Sequence, residues 1–397
     1  MTMAFDNQSL FNQAVDAMRG GDVRRGKALL EQVLAVNPND INAWLNLALA
    51  EQKLADPVAE IRAIDNVLRI EPRTLVGLLL KGNYFERLGQ GRKAAQAYTN
   101  ALQVAPPFEE VPNDLKPMVR RAVEVSQRTA KEREDFIRAY VASAKNQHDE
   151  RELRRFDEAV DVVVGRKAIY RQNPLLLFWP GMAPLQFFPR EQFPWLDEIE
   201  AATDDIKSEL LEVLRQDRDM VPYINYDDSM PLDQWRELNR SPDWSAYHLL
   251  QDGKRVEEHC KLCPKTVAAA SRAPSPTIPN QAPVAMFSIL KPGITIPPHT
   301  GATNARLVCH LPLIIPEKCA FRVGNETREW VPGKAWVFDD TIEHEAWNNS
   351  DKTRVILIFD IWNPYLNEAE RELIPVLIKG MFDFMGEDDA AARRSFN

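Results

Sequence analysis

Ser288-Ile-Leu-Lys-Pro-Gly293, Pro298-His299-Thr300-Gly301, Arg306-Leu-Val-Cys-His310-Leu311, Asp339-Asp340, Glu343-His344-Glu345 and Arg354-Val-Ile-Leu-Ile-Phe-Asp-Ile-Trp362-Asn-Pro364 follow one another in the C-terminal third of the chain. The text consists of short, strongly apolar runs of strand length, cut by turns such as Val323-Gly-Asn325 and Val331-Pro-Gly-Lys334. It predicts strands over 284–290, 306–315, 320–323, 326–331, 335–338, 345–348 and 354–362. Many short antiparallel strands with such turns fit a jelly-roll or small barrel. A helix over 196–215 precedes them, and an amphipathic helix over 367–385 follows. His299 and His344 fall at strand ends, where a barrel aims side chains into its mouth. Two imidazoles and a nearby guanidinium are the parts needed to hold a redox metal and an anionic co-substrate.

Outward from this region the chain changes character. Only Trp44 of the nine tryptophans lies before residue 174, and the earlier half is dominated by repetition. Val36-Asn37-Pro38, Ile70-Glu71-Pro72 and Val104-Ala105-Pro106 recur every 34 residues, the tetratricopeptide period, and three repeats are the minimum for a stable array. In the same register Ala14, Ala48 and Gly82 coincide, small residues that let the two helices of a hairpin approach closely. Residues 107–172 are rich in Arg, Lys and Glu and predict solvent-exposed helices, for example over 118–131 and 132–144. The expected organisation is therefore a tetratricopeptide solenoid over 1–106, a helical connector over 107–172 and a β-rich domain over 173–397.

The composition limits the functions open to the chain. With 397 residues, 45% hydrophobic and 27% charged, it has the profile of a globular protein of two or three domains. A net charge of -9 and the lack of a basic stripe argue against nucleic acid as a partner. No apolar run is long enough to span a bilayer, and the first residues carry no secretory signal pattern. Cys260 and Cys263 form a single C-x-x-C with no second pair to complete a zinc site, and with Cys309 and Cys319 they are expected as reduced thiols in the cytoplasm.

Of the six histidines, His148 reads as a solvated surface residue, and His248 and His259 as structural. His299 follows the stiff Pro297-Pro298 and precedes a turn, and His344 follows Phe338-Asp-Asp-Thr341 at another strand end. Either alone reads as a hydrogen-bonded loop histidine. Together with Ser288, Arg306, His310 and Arg354 they read as a site. Arg354 opens a very apolar strand, where an unpartnered guanidinium is expensive. Its partner is either Asp339, Asp340 or Glu343, or the distal carboxylate of a dicarboxylic co-substrate that matches its forked donors.

Residues 176–364 resemble the aspartyl/asparaginyl β-hydroxylase family of Fe(II)- and 2-oxoglutarate-dependent oxygenases. The likeness is carried in collinear order by Phe178-Trp-Pro-Gly181, Phe193-Pro-Trp-Leu196, Cys260-Lys-Leu-Cys-Pro-Lys-Thr266, Ser288-Ile-Leu-Lys-Pro-Gly293, His299-Thr-Gly301, Arg306-Leu-Val-Cys-His310, Phe338-Asp-Asp340, Glu343-His-Glu345, Arg354, Asp360 and Trp362. The resemblance implies a double-stranded β-helix, a cupin-like jelly roll with flanking helices. It implies His299 and His344 as the iron ligands, Ser288 and Arg354 at the distal carboxylate of 2-oxoglutarate, and His310 beside the co-substrate's metal-binding end. Gly301 stands where most of the wider superfamily supplies a carboxylate ligand, an absence typical of this family. Asp340 and Glu343 become candidates to orient the imidazoles. The animal enzymes carry a second arginine where this chain has Val308, which leaves Arg306 to substitute in neutralising the keto-acid end. Their disulfide pair is also incomplete, since Cys260 matches the first cysteine and Val267 replaces the second. The implied reaction uses dioxygen to hydroxylate the β-carbon of Asp or Asn in a peptide or protein, recruited by the repeats. The alternatives are an acyl-chain hydroxylase, as in the related lipid A enzymes, and a repeat scaffold of weak activity. Val308 favours the scaffold reading and the retained imidazoles oppose it.

Overall fold

Asp22, Asp40 and Asp56 each stand immediately before a helix, and each carboxylate accepts the backbone N–H three residues on. That satisfies one of the donors a helix start leaves open. The computed structural model describes residues 2–216, 219–227 and 232–385. Its first helices are α1 (Thr2–Arg19), α2 (Val23–Val36), α3 (Ile41–Lys53), α4 (Pro57–Ile70), α5 (Leu75–Arg87) and α6 (Gly91–Val104). They pack as three consecutive hairpins, the tetratricopeptide arrangement that the 34-residue period predicts. The shared small position is buried throughout: Ala14 and Ala48 lie in the core, and a Cβ at Gly82 would meet the Tyr98 ring at 2.3 Å.

The two helices expected over 118–131 and 132–144 are a single helix, α7 (Lys116–Lys145), followed by α8 (Glu150–Val163). Nothing at Lys131-Glu132 breaks a helix, since both residues are good helix formers. Val119, Ala122 and Val125 of α7 join Tyr98 and Ala101 in one apolar cluster. The first compact unit accordingly runs Met1–Lys167, and the second is Ala168–Asn397.

The helix expected over 196–215 is two, α9 (Leu196–Ala201) and α10 (Thr203–Gln216), with the Thr203 hydroxyl donating to the Glu200 carbonyl across the break. After them come β1 (Val221–Pro222), β2 (Trp244–Gln251), β3 (Lys254–Arg255), α11 (Glu257–Leu262), α12 (Pro264–Ala270), β4 (Ala285–Leu290), β5 (Ile294–His299), β6 (Arg306–Ile314), β7 (Cys319–Val323), β8 (Glu326–Glu329), β9 (Trp336–Phe338), β10 (His344–Asn348), β11 (Arg354–Trp362) and α13 (Glu368–Met385). Strands β2 and β5 were not among those predicted. Pro297 and Pro298 argue against a strand interior, yet β5 lies at a sheet edge and pairs only with β10, where the missing N–H groups cost nothing.

One sheet has the order β1-β2-β4-β11-β6-β9, with β3 added to β2, and the other the order β5-β10-β7-β8. Every pairing is antiparallel. The two sheets form the double-stranded β-helix, or jelly roll, with flanking helices. The period-2 alternation of the long strands divides their side chains. Val355, Leu357, Phe359 and Ile361 of β11 enter the main core with Leu307, Cys309 and Leu311 of β6 and with Ile199, Ile206 and Leu210 of α9 and α10. The intervening residues Arg354, Ile356, Ile358 and Asp360 therefore face the other way, into a cavity of about 790 Å³.

Candidate active site

His299 ends β5 and His344 begins β10, and the two are register partners across the antiparallel pair. Their ring centroids lie 4.0 Å apart. Each Nδ1 meets the carbonyl two residues upstream, Pro297 O at 2.7 Å and Ile342 O at 3.0 Å. A carbonyl only accepts, so Nδ1 carries the proton on both rings and Nε2 keeps its lone pair. Burial holds both imidazoles neutral: it pushes His344 down to about 4 and His299 well below its ordinary value, the latter helped by the neighbouring His344. Two neutral imidazoles presenting lone pairs side by side fit a divalent transition metal. Among the described residues no third His, Cys, Asp or Glu joins them in a ligand set. A Cβ at Gly301 would lie 2.0 Å from Asp340 Oδ2, so the Asp340 carboxylate fills the space that a side chain there would need.

Arg354 is 1% exposed. Its Nη1 donates to Ser288 O and Oγ at 3.2 and 3.3 Å, its Nε has no partner, and burial lowers its pKa to about 10, so it stays charged at neutral pH. None of the three carboxylates considered for it is its partner. Asp339 accepts from Gln172 and Thr341, Asp340 pairs with Arg306 at 3.2 Å and Glu343 with Arg322 at 2.9 Å. Ser288 Oγ is set by Trp244 Nε1, which donates at 3.2 Å. His310, on β6, is buried and neutral, and its Nδ1 has no partner. An unpartnered guanidinium nitrogen, an unpartnered imidazole nitrogen and a hydroxyl around one cavity fit a small dicarboxylate.

The third expected anion-binding group does not stand free. Arg306 donates to Asp360 Oδ1 at 2.9 Å as well as pairing with Asp340, so two buried carboxylates already neutralise it. Burial opposes its charge, but the two carboxylates outweigh that and keep it protonated. Arg306 lines the cavity together with Val308, Ile356 and Ile358, with its charge shared between Asp340 and Asp360. The imidazole Nδ1 atoms are held by the Pro297 and Ile342 carbonyls, while the carboxylate of Asp340 pairs with Arg306 and that of Glu343 with Arg322.

All six predicted site residues, Ser288, His299, Arg306, His310, His344 and Arg354, line the one cavity. His148 is exposed as expected, and His259 is structural, its Nδ1 on the His248 carbonyl at 2.6 Å. His248 departs from expectation: it lines the cavity, and its buried Nδ1 has no partner. Trp244 was also missed: the run 244–251 carries no clean apolar/polar alternation, and only the strand pairing places Trp244 and His248 on one face.

Residues 200–364 match the sequence profile of the family described as aspartyl/asparaginyl beta-hydroxylase. The chain is 38% identical over 180 residues to the ornithine lipid ester-linked acyl 2-hydroxylase of Rhizobium tropici, covering 45% of this chain and 60% of that enzyme. It is 41% identical over 141 residues to the human aspartyl/asparaginyl beta-hydroxylase, covering 35% and 18%, and 31% identical over 209 residues to aspartate beta-hydroxylase domain-containing protein 2 of Xenopus tropicalis, covering 51% and 54%. The chain thus spans less than two thirds of each of these relatives. Among solved structures, the Sgt2 TPR domain from Aspergillus fumigatus matches 32% of this chain and 80% of its own at 16% identity with a TM-score of 0.28, and the repeat assignment rests on the helix hairpins instead. β1 to β11 and both imidazoles lie inside the residues that match the aspartyl/asparaginyl beta-hydroxylase family, so this part of the chain is similar to a family of hydroxylases.

Proposed function

We propose that the chain is a hydroxylase dependent on Fe(II) and 2-oxoglutarate. His299 and His344 hold the metal through Nε2, Arg354 and Ser288 grip the distal carboxylate of the co-substrate, and His310 lies beside its metal-facing end. The observation that carries this reading is the pair of neutral imidazoles 4.0 Å apart in the same cavity as a buried guanidinium that no carboxylate among the described residues compensates. Fe(II) bound there supplies hydroxylation of an unactivated carbon, as 2-oxoglutarate and dioxygen give succinate and carbon dioxide, with one oxygen atom in succinate and the other in the product. The chain's own residues bind and orient. The carbonyls of Pro297 and Ile342 fix the imidazole tautomer, and Trp244 fixes the Ser288 hydroxyl.

The substrate carbon is the β-carbon of Asp or Asn in a peptide or protein that the repeats recruit. A second reading, hydroxylation of an acyl chain, is favoured by one observation: Met286, Val308, Ile356 and Ile358 contribute an apolar part of the cavity lining, and Arg306, which also lines it, is neutralised by two carboxylates. We place the protein in the cytoplasm, where its four free buried thiols stay reduced; among the described residues no helix is long and apolar enough to cross a membrane.

Anaerobic titration of the full chain with Fe(II) and 2-oxoglutarate tests the site. A weak visible charge-transfer band is expected, absent from the His344→Ala variant. A wild-type protein without the band, or an undiminished band in the variant, overturns the proposal. Succinate release stimulated by an Asp- or Asn-bearing peptide and not by ornithine lipid decides for the peptide, and the reverse result for the acyl chain.

A further inference from the structure

Residues 170–179 precede the family-matched span of 200–364, yet they run along both loops that carry the histidine pair. Asn173 N donates to Thr341 O at 2.7 Å, three residues before His344. Leu175 N donates to Gly301 O at 3.0 Å, and Leu176 N to Ala302 O at 2.9 Å, just beyond His299. The loops touch each other through Gly301 N and Asp340 O at 2.6 Å. Gln172 joins the two with one side chain: its Nε2 donates to Asp339 Oδ2 at 2.6 Å and its Oε1 accepts from Asn304 Nδ2 at 3.1 Å.

We infer that this strap, through Gln172 above all, is a positioning element of the metal site that sets the spacing of the two imidazoles. The inference rests on the reading of His299 and His344 as ligands. The sheet alone does not fix these rings. His299 ends an edge strand paired on one side, and the register of β10 against β5 shifts directly after His344. Asp339 is 0% exposed, and its other donors, the Thr341 amide at 2.9 Å and hydroxyl at 2.6 Å, come from its own loop. Gln172 is the donor that ties that carboxylate to a different segment. Two groups that serve one ion must be held to within about 0.5 Å, so a strap bonded to both loops bears on affinity.

The test uses the full metal-free chain titrated with Co(II), whose visible d–d absorbance reports coordination independently of turnover. Gln172→Glu sets a carboxylate against the buried Asp339 and is expected to weaken Co(II) binding by about tenfold or more, the range for lost outer partners of ligands, and to lower the metal-free melting temperature, since the two buried carboxylates repel. Adding Asp339→Asn supplies an amide that donates to the new carboxylate and is expected to bring affinity back to within about threefold of wild type, as coupled neighbours do. Wild-type affinity in Gln172→Glu overturns the inference. So does a loss that is not restored in the double variant. A wild-type chain that gives no d–d band, or a band unchanged by His344→Ala, instead overturns the ligand reading itself.

Discussion

A guanidinium taken out of water without a counter-charge costs several kcal/mol even after its surroundings relax. Arg354 bears that cost with, among the described residues, only Ser288 accepting from it and the Trp330 ring 5.1 Å from its centre. The same uncompensated charge gives a dicarboxylate a reason to enter. Arg354→Met is therefore expected to raise the stability of the metal-free protein by ~1–3 kcal/mol and to abolish the stabilisation that 2-oxoglutarate confers, both read from melting curves with and without the co-substrate. A lower melting temperature in the variant would make the charge structural. Gly301 illustrates what single residues reveal and conceal. Its identity marks the missing ligand side chain, but that the Asp340 carboxylate occupies the space depends on two loops meeting, which no local pattern encodes. Arg306 is the converse case: its type suggested a free anion-binding group, and its two partners, Asp340 and Asp360, lie far along the chain.

Elements were legible where their period is strong. The 34-residue recurrence sets the first three hairpins, and Gly82 is the position where that packing is tightest, its neighbour Tyr98 being 2% exposed with its hydroxyl on Glu86 at 2.9 Å. Gly82→Ala gains up to about 1 kcal/mol of helix propensity, but it forces a methyl into the Tyr98 ring at a cost of about 1–3 kcal/mol. Net destabilisation is expected in chemical denaturation, with the Co(II) affinity of the histidine pair as the internal control; a stabilised variant would mean that Tyr98 yields freely. Strands that are near-continuous apolar runs, β6 and β11, were read almost to the residue. β5 was not, because Pro297-Pro298 looks like a break until the pairing shows an edge, and β2 was not, because Trp244–Gln251 mixes polar and apolar types on its cavity face.

At the scale of the whole molecule, the interior of the second unit sets its response to acid. Burial holds His248, His299, His310 and His344 neutral, with His248 and His344 pushed down to about 4. Burial also raises Asp339 and Asp360 to about 6, and Asp340 in the same direction. The two sets act in opposite senses. A histidine that stays neutral in the fold while the unfolded chain protonates near 6.5 makes the unfolded state the proton acceptor, so stability is lost as pH falls from 6.5 towards 4. A carboxylate with a raised folded pKa protonates first in the fold, so stability is gained as pH falls from 6 towards 4. His248 isolates one term of this balance, because it lies outside the ligand pair and its Nδ1 has no partner to lose. In His248→Leu, urea unfolding of the metal-free chain at pH 7, 6 and 5 is expected to show a stability at pH 7 no lower than wild type. Its stability should also fall less steeply with acid, by at most one proton, or about 1.4 kcal/mol per pH unit. Tryptophan fluorescence reports this unit selectively, since Trp44 alone of nine tryptophans lies before residue 174. Equal slopes in variant and wild type would mean that His248 takes up its proton inside the fold, so that the far wall of the cavity opens to water near pH 6 instead of staying closed around it.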